Sequence, residues 1–211
     1  AFARMMVEGH KMNLLYYSRH RNEQLENFCR AYGRFLETRG ENPVTCRRAK
    51  RLETLLTEAD CVSLHTTLNA STRHLIDAER LSLMKPNAVL VNTSRGPVID
   101  EAALVAYCRR NPQFRAGLDV FEHEPRLTPG LTELENVVIV PHTGSATRFA
   151  RDGMATLAAA NVAALLQGYP AWNRPDINPF LSGRPPKAAP SILNAEDLGI
   201  ARFATPGEQA S

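Results

Sequence analysis

The sequence predicts an α/β protein built around a doubly wound, mostly parallel β-sheet. Five short apolar runs, each bounded by turn residues, have the composition of strands that are buried on both faces. Most segments between them carry apolar residues at helical spacing, and helices are the usual connections between parallel strands. The five predicted strands are Met12–Tyr17, Cys61–His65, Ala88–Asn92, Phe114–Val120 and Val137–Val140.

The first residues of the chain already have a helical pattern. Phe2, Met5 and Met6 fall on one face of a helix that Gly9 ends, and the strand at Met12–Tyr17 follows directly. A helix that leads into a buried strand is the second half of a βαβ unit. We therefore expect the chain to be the C-terminal part of a longer protein, with the first strand of the sheet upstream.

Charged segments with helical spacing fill the chain between the first two strands. We predict a helix at Glu23–Thr38, a break at residues 40–43, and a second helix at Cys46–Glu58. The apolar face of that second helix comprises Leu52, Leu55, Leu56 and Ala59. The densest basic cluster, at residues 47–51, would then lie on its solvated face.

Two helices and one loop connect the remaining strands. The pattern predicts helices at Asp77–Met84 and from Asp100 to about Arg110. Residues 121–136 contain Pro125, Pro129 and Gly130, which indicate a loop in place of a crossover helix.

The last part of the chain contains two segments of different composition. The alanine-rich segment Ala146–Gln167 predicts a long packed helix, and seven of the 14 prolines lie at or after Pro170, which predicts an extended tail. The expected division is a sheet domain at residues 1–147, a connecting helix at residues 148–168 and a tail at residues 169–211.

Composition excludes several classes of partner. The 25 basic and 22 acidic side chains are scattered and give a formal charge of only +3, which does not indicate nucleic acid. No apolar run approaches the ~18 residues that a membrane span needs. The cysteines lack paired metal-type spacing, so we expect no metal and reduced thiols in an intracellular protein. They are Cys29, Cys46, Cys61 and Cys108.

Three reactive side chains follow three different predicted strands. Arg95 lies on a Ser-Arg-Gly-Pro turn after the central strand, Glu124 follows the next strand, and His142 follows the last. Alone, each could be a solvated charge or a hydrogen-bonded loop residue. In a parallel sheet, however, all three strand ends share the ligand-binding edge. An arginine, an acid and a histidine there can bind a carboxylate, orient a base and move a proton.

Three motifs around these residues resemble those of a known family. Asn92–Asp100, Gly117–Pro125 and Pro141–Thr147 are similar to three signatures of the D-isomer-specific 2-hydroxyacid dehydrogenases. The resemblance runs from the first residue to about Pro179. Within the family, the insertion at residues 23–50 and the segments 153–158 and 168–172 are most similar to plant and algal hydroxypyruvate reductases, also called glycerate dehydrogenases.

The resemblance implies a fold and a reaction. Residues 1–147 would form a partial Rossmann-like nucleotide-binding domain, and the tail would return to a substrate domain that is missing. The activity would be NAD(P)H-dependent reduction of hydroxypyruvate to D-glycerate, with glyoxylate as a second substrate. The alternatives are a dehydrogenase for another 2-hydroxy acid, or a non-catalytic dinucleotide-binding sensor or scaffold of the corepressor type.

The resemblance also implies roles for the three side chains. Arg95 would hold the substrate carboxylate and 2-oxo oxygen, because its planar fork matches a carboxylate. His142 would protonate the carbonyl oxygen as hydride arrives. Glu124 would accept a hydrogen bond from the other imidazole nitrogen and so stabilise the imidazolium.

The expected cofactor contacts come from several motifs. Asp119 would meet the nicotinamide carboxamide, and further contacts would line the cofactor path. These are Thr66, Thr67, Thr72, Thr93, Thr143 and Gly144. Because the glycine-rich phosphate loop would precede this chain, we expect the chain alone to bind cofactor poorly and to be inactive.

The end of the first strand bears on the choice between NADH and NADPH. The family usually carries an acid there for the adenosine 2′-hydroxyl, whereas this chain has Ser18, Arg19 and Arg21 around His20. Arginine at this place can accept a 2′-phosphate, which favours NADPH. The alternative is that the arginines face solvent and NADH is used.

The resemblance further implies a homodimer for the full-length protein. Its plant members often end in a peroxisomal tripeptide such as Ser-Lys-Leu, whereas this chain ends Gln209-Ala210-Ser211. Peroxisome, mitochondrion and cytosol therefore all stay open as the compartment.

Overall fold

A computed structural model describes residues 1–204 and shows an α/β architecture in which every strand pairing is parallel. Two short 3-10 turns, Gly96–Val98 and Leu131–Glu133, accompany the regular elements. In chain order these are α1 (Phe2–His10), β1 (Leu14–Tyr16), α2 (Glu23–Thr38), β2 (Cys46–Arg48), α3 (Leu52–Glu58), β3 (Cys61–Leu64), α4 (Ala78–Leu83), β4 (Val89–Asn92), α5 (Glu101–Arg110), β5 (Arg115–Leu118), β6 (Val137–Ile139), α6 (Arg148–Leu166) and α7 (Asn178–Leu181).

The larger sheet has four strands in the order β3-β4-β5-β6, and the smaller one pairs β1 with β2. In the larger sheet the carboxyl-terminal residues stand level: Leu64 is opposite Asn92, Asn92 opposite Leu118, and Leu118 opposite Ile139. Level strand ends place the loops that follow them at one edge. The predicted parallel sheet is therefore confirmed for four of its five strands, whereas the first, β1, pairs with β2 instead.

The main hydrophobic core lies around the central strand β4. Leu90 is fully buried in it, and α3, α4 and α5 contribute the fully buried Leu56, Leu81 and Leu104. Burying one such leucine stabilises a fold by roughly 1.5–3 kcal/mol, so this cluster is what holds the sheet edge in place.

One predicted element is wrong. The segment Cys46–Arg48 was expected to begin a helix that continues to Glu58, but it forms β2, and α3 begins only at Leu52. The neighbouring strand explains the difference, because it satisfies the backbone of this segment. The Leu14 amide donates to the Thr45 carbonyl at 2.8 Å, and a parallel ladder follows.

Most other boundaries agree with the sequence. The helix at Glu23–Thr38 is confirmed at both ends. Asn22, Asp77, Asp100 and Thr147 each cap the helix that follows, with a side-chain oxygen that accepts a backbone N–H. Between β5 and β6 the chain forms a loop with one short 3-10 turn, as predicted.

The chain divides into two compact units, Ala1–His142 and a second that begins at Thr143. In the second unit, α6 is the long helix that the sequence predicts. The following residues have little regular structure but fold back on it, since Ala171 and Ala189 are fully buried beside Ala164 of α6. The predicted tail at residues 169–211 is thus packed over its described part, and residues 205–211 lie outside the described residues.

Among residues 1–204, no helix combines the length and apolar character that a membrane crossing requires. The same range contains no cluster of three or more His, Cys, Asp or Glu side chains able to hold a metal ion.

Candidate active site

Arg95, Glu124 and His142 line one open cleft at the carboxyl edge of the larger sheet. The cleft has a volume of about 450 Å³ and lies between the turn after β4 and the loop after β5. Its other lining residues are Gly96, Pro97, Phe121, Glu122, His123 and Arg126. The structure therefore brings together the three side chains that the sequence selects.

His142 and Glu124 form a hydrogen-bonded pair. His142 Nδ1 lies 2.9 Å from Glu124 Oε2, while the Phe121 amide donates to Glu124 Oε1 at 2.9 Å. With Nδ1 donating to the carboxylate, Nε2 is the nitrogen left for the cleft. The side chain of His142 is 46% exposed, so a substrate atom can reach it.

The environment keeps Glu124 ionised. The hydrogen bond from His142 and the Phe121 amide hold the pKa of this carboxyl below its usual value, and the Arg95 charge adds to the effect. A carboxylate that stays charged can stabilise a positive imidazole beside it. The charged carboxylate thus holds the His142 imidazole in place through its Nδ1–H.

Asn92 fixes the turn that carries Arg95. Asn92 is buried at the end of β4, where its Nδ2 donates to the Arg95 carbonyl at 3.0 Å. Its Oδ1 accepts the Ser94 amide at 3.0 Å and the Ser94 hydroxyl at 2.9 Å. Arg95 itself is exposed, with Nη1 donating to the Ser94 carbonyl. Sequence reasoning assigned no role to Asn92, although a polar residue that ends a buried strand is a usable signal.

Gly96 lets the Arg95 turn approach the loop that carries Glu124. A Cβ atom at Gly96 would lie 1.9 Å from both the carbonyl carbon and the oxygen of Phe121, and 2.5 Å from the Glu122 nitrogen. No side chain fits at that separation. The close contact between two backbones is what brings the two sides of the cleft together.

The residues expected along the cofactor path take different positions. Asp119 is buried directly after β5, and its amide donates to the Asn92 carbonyl. Thr67 and Thr93 are exposed at the sheet edge and Thr66 is half-buried. Thr72 has another use, because its buried hydroxyl donates to the Thr67 carbonyl at 2.7 Å and accepts from an amide of the same loop. The Thr72 side chain therefore holds the loop that presents Thr67.

Thr143 and Gly144 open the second compact unit, where the Thr143 carbonyl accepts the Ala146 amide.

The turn after β1 separates the three residues expected near an adenosine 2′-phosphate. Arg21 is engaged by Glu26, with Nη2 at 2.7 Å and Nε at 3.0 Å from Oε2. Ser18 donates its hydroxyl to the His20 carbonyl. The Arg19 side chain is exposed and has no partner among residues 1–204. Arg19 is thus the arginine that remains available.

Two residues that the sequence did not select also shape this turn. Arg48 on β2 donates to the Ser18 carbonyl at 2.7 Å and to the Arg19 carbonyl at 2.9 Å. Tyr16 donates its hydroxyl to Glu26 at 2.6 Å. The bonds from Arg21 and Tyr16 hold the pKa of Glu26 down to about 2.

The start of α1 and the sheet edge together suit a dinucleotide. The Phe2 ring lies 5.2 Å from the His65 ring, which places the first turn of α1 beside the carboxyl end of β3. Within the part of the chain that the structure describes, no side chain caps this helix start, and its first amides carry the positive end of the helix dipole. Threonine hydroxyls follow along the edge. The residues present therefore fit a pyrophosphate-containing cofactor.

Comparison with known proteins agrees with this geometry. Residues 1–144 match the family model of the D-isomer specific 2-hydroxyacid dehydrogenase NAD binding domain. Over 203 residues the chain is 54% identical to the peroxisomal glycerate dehydrogenase HPR of Arabidopsis thaliana, covering 95% of this chain and 53% of that protein. It is 44% identical to a glyoxylate reductase of Thermococcus litoralis, over 77% of this chain and 44% of that one.

Solved structures show the same fold. The holo form of D-mandelate dehydrogenase from Rhodotorula graminis is 33% identical with a TM-score of 0.66, covering 80% of this chain and 45% of that one. A second similar structure is that of an NADPH-dependent glyoxylate/hydroxypyruvate reductase from Sinorhizobium meliloti in complex with NADP and malonate. It is 29% identical with a TM-score of 0.63, covering 79% of this chain and 46% of that one. The chain spans about half the length of the curated relatives it matches.

A Rossmann-like parallel sheet, three motifs at one sheet edge and a family model that covers most of the chain lead to one assignment. The chain belongs to the D-isomer specific 2-hydroxyacid dehydrogenases and carries the NAD-binding domain of that family.

Proposed function

We propose that the complete protein containing this chain reduces hydroxypyruvate to D-glycerate at the expense of a nicotinamide cofactor, with glyoxylate as a second substrate. The observation that carries the proposal is the His142–Glu124 pair facing the same cleft as Arg95. A 2-oxo acid needs a cation for its carboxylate and a proton donor for its carbonyl oxygen, and the cleft holds one of each.

The chemistry of these side chains follows from their positions. Arg95 binds the substrate carboxylate with its planar fork and orients the carbonyl toward His142. A dihydronicotinamide bound along this edge would supply the hydride that the carbonyl carbon needs. His142 donates the proton from Nε2 to the carbonyl oxygen, which yields the alcohol and leaves a neutral imidazole. Glu124 keeps the ring oriented throughout by accepting the hydrogen bond from Nδ1.

The relatives support this choice of substrate. Proteins named glycerate dehydrogenase in two plants are each 54% identical to this chain over 95% of its length. Two proteins named glyoxylate reductase are 44% identical over only 77% of it. We therefore rank hydroxypyruvate first.

For the cofactor, we propose that the complete protein uses NADPH as well as NADH. Glu26 is the acid that follows the turn after β1. Its carboxylate accepts hydrogen bonds from Tyr16 and Arg21, so it is not available to bind a ribose hydroxyl. Arg19 remains available for a phosphate, and Arg48 adds positive charge against the same turn. Both features favour a 2′-phosphate over an unmodified ribose.

We also propose a homodimer. Helix α6 leaves Phe149, Val162 and Leu166 exposed, at 80%, 60% and 84%, and several large apolar side chains exposed on one helix are typical of an interface. Light scattering of the complete protein measures this directly.

The test of function is oxidation of NADPH and of NADH by the complete protein when hydroxypyruvate or glyoxylate is added. We expect turnover with hydroxypyruvate and both cofactors.

Arg19→Ala should raise the KM for NADPH by about tenfold, as loss of a hydrogen bond between charged groups predicts, and leave the KM for NADH unchanged. Arg34→Ala, an exposed arginine on α2, is the control. A strong NADH preference in the wild type would refute the cofactor proposal, while cofactor binding without any turnover would favour a non-catalytic sensor.

A further inference from the structure

A second carboxylate–imidazole pair involves the same loop as the first. His74 Nε2 is 2.6 Å from Glu122 Oε1, and Arg73 Nη2 is 3.4 Å from the same oxygen. The Glu122 side chain is only 8% exposed, although it belongs to the loop that carries Glu124 two residues later. Neither His74 nor Glu122 has a part in the chemistry described above.

The His74 end of this pair is bound to the Arg95 turn. The His74 amide donates to the Pro97 carbonyl at 2.8 Å, and the Ile76 amide donates to the Val98 carbonyl at 3.0 Å. Residues 74–76 therefore run beside the turn like a short strand. His74 has a left-handed backbone, with φ of 50°. Only a few per cent of residues other than glycine adopt that conformation, with His among the more frequent ones.

The Glu122 end is bound to α5. Glu122 Oε2 accepts the Glu101 amide at 3.3 Å, and the Glu122 amide donates to Glu101 Oε1 at 2.7 Å. Glu101 is itself 1% exposed and accepts the Thr128 hydroxyl at 2.6 Å. This reciprocal exchange anchors the loop just ahead of Glu124 to the beginning of a buried helix.

Glu122 stays charged despite its burial. Burial alone would raise the pKa of its carboxyl, but the hydrogen bonds from His74 and the Glu101 amide outweigh that effect, so the pKa lies below its usual value. A hydrogen bond to a buried charge is stronger than one between neutral groups. The contact between His74 and Glu122 is therefore able to hold two segments together.

We propose that His74 and Glu122 are a positioning pair that sets Arg95 and Glu124 at their working separation. The pair joins the segment beside the Arg95 turn to the loop that carries Glu124, and Glu122 also adjoins the close contact at Gly96. Neither residue touches the reacting atoms in this assignment. The predicted effect of the pair on substrate binding rests on the proposed function. The predicted effect on the backbone of the Arg95 turn does not.

Three variants of the complete protein separate this role from general stability. His74→Asn removes the Nε2 donor but keeps a residue that tolerates a left-handed backbone. Glu122→Gln keeps the acceptor and removes the charge. Thr128→Val is the matched control, because it removes a hydrogen bond from the same network without touching the Arg95 turn.

The first measurement is amide hydrogen exchange, which does not depend on catalytic activity. We expect the peptide that covers residues 95–99 to exchange about tenfold faster in His74→Asn and Glu122→Gln, as loss of one charged hydrogen bond predicts. The double variant should exchange no faster than either single one. Thr128→Val should leave this peptide unchanged. Unchanged exchange in both pair variants, or equal acceleration in the control, would overturn the proposal.

The second measurement is steady-state kinetics. We expect the KM for hydroxypyruvate to rise about tenfold in both pair variants with a smaller change in kcat, because a displaced Arg95 weakens binding of the carboxylate. The dissociation constant for NADH should not change. Faster exchange with an unchanged KM would refute the positioning role. A wild type without turnover would instead refute the proposed function, and the exchange data would still decide the role of the pair.

Discussion

Asn92 and Phe121 hold the two sides of the cleft through hydrogen bonds that involve the backbone. Asn92 fixes the carbonyl of Arg95, and the amide of Phe121 fixes the carboxylate of Glu124. His142 then meets the remaining oxygen of Glu124 at 2.9 Å. At the scale of single residues, the reacting groups depend on neighbours that orient them in advance, which is how enzymes avoid the cost of reorganisation during the reaction.

Glu26 gives a prediction about pH and stability. Its pKa of about 2 lies below the ordinary value of 4.5, because of the hydrogen bonds from Arg21 and Tyr16. A group with a lowered pKa in the folded state stabilises the fold above its ordinary pKa and loses that contribution as pH falls. The wild type should therefore lose stability between about pH 4.5 and pH 2, and Glu26→Gln should lack this part of the loss.

Thermal unfolding of the complete protein across that pH range measures the effect. Glu23→Gln is the control, since it removes the same charge from the same helix turn at a side chain that is 74% exposed. Parallel acid curves for the wild type and Glu26→Gln would contradict the account.

The sequence could predict Arg95, Glu124 and His142 because each lies in the loop that follows an apolar strand. It could not predict the engagement of Arg21 by Glu26 or the pairing of His74 with Glu122. The second contact joins residues 48 positions apart, which only the tertiary fold brings together. The same limit applies to Thr72, whose residue type gave no indication that its hydroxyl is used within its own loop.

At the scale of elements, the cleft exists because two backbone segments after neighbouring strands pass unusually close. Gly96 is the residue that allows it. The level carboxyl ends of β4 and β5 bring the two segments to the same height, so the close approach occurs at the ligand-binding edge.

Replacing Gly96 tests this arrangement. Gly96→Ala should destabilise the protein by about 1–3 kcal/mol or more, the range for forced overpacking, because the new methyl group would overlap the Phe121 carbonyl. It should also raise the KM for hydroxypyruvate, since the turn must move away. Urea unfolding and steady-state kinetics measure the two effects.

Gly117→Ala in β5 is the matched control, because its Cβ would meet only a Val91 methyl at an ordinary 3.9 Å. Equal stability of Gly96→Ala and Gly117→Ala would contradict the close contact that we describe.

The sequence predicted elements best where apolar spacing alone decided them. Helix α2 and the strands of the larger sheet fall in this group. The error at β2 has a physical cause, since a strand of three residues with exposed charged side chains has no apolar pattern of its own. It is a strand because β1 lies beside it, and its sequence carries no information about that neighbour.

At the scale of the whole molecule, the first compact unit contains the cleft lined by Arg95, Glu124 and His142 and the edge that suits a dinucleotide. The chain spans about half the length of its curated relatives. Activity is therefore a property to be measured on the complete protein. The central claim is that His142, held by Glu124, supplies the proton that completes hydride transfer to a 2-oxo acid.

The most direct test is turnover of hydroxypyruvate by the complete protein and its His142→Ala variant, followed by the absorbance of the reduced cofactor. Removing a general acid costs about 10²–10⁴-fold in rate, so we predict a loss of that size in kcat. Binding of NADH and NADPH, measured by fluorescence, should be unchanged. Full activity in His142→Ala would contradict the account.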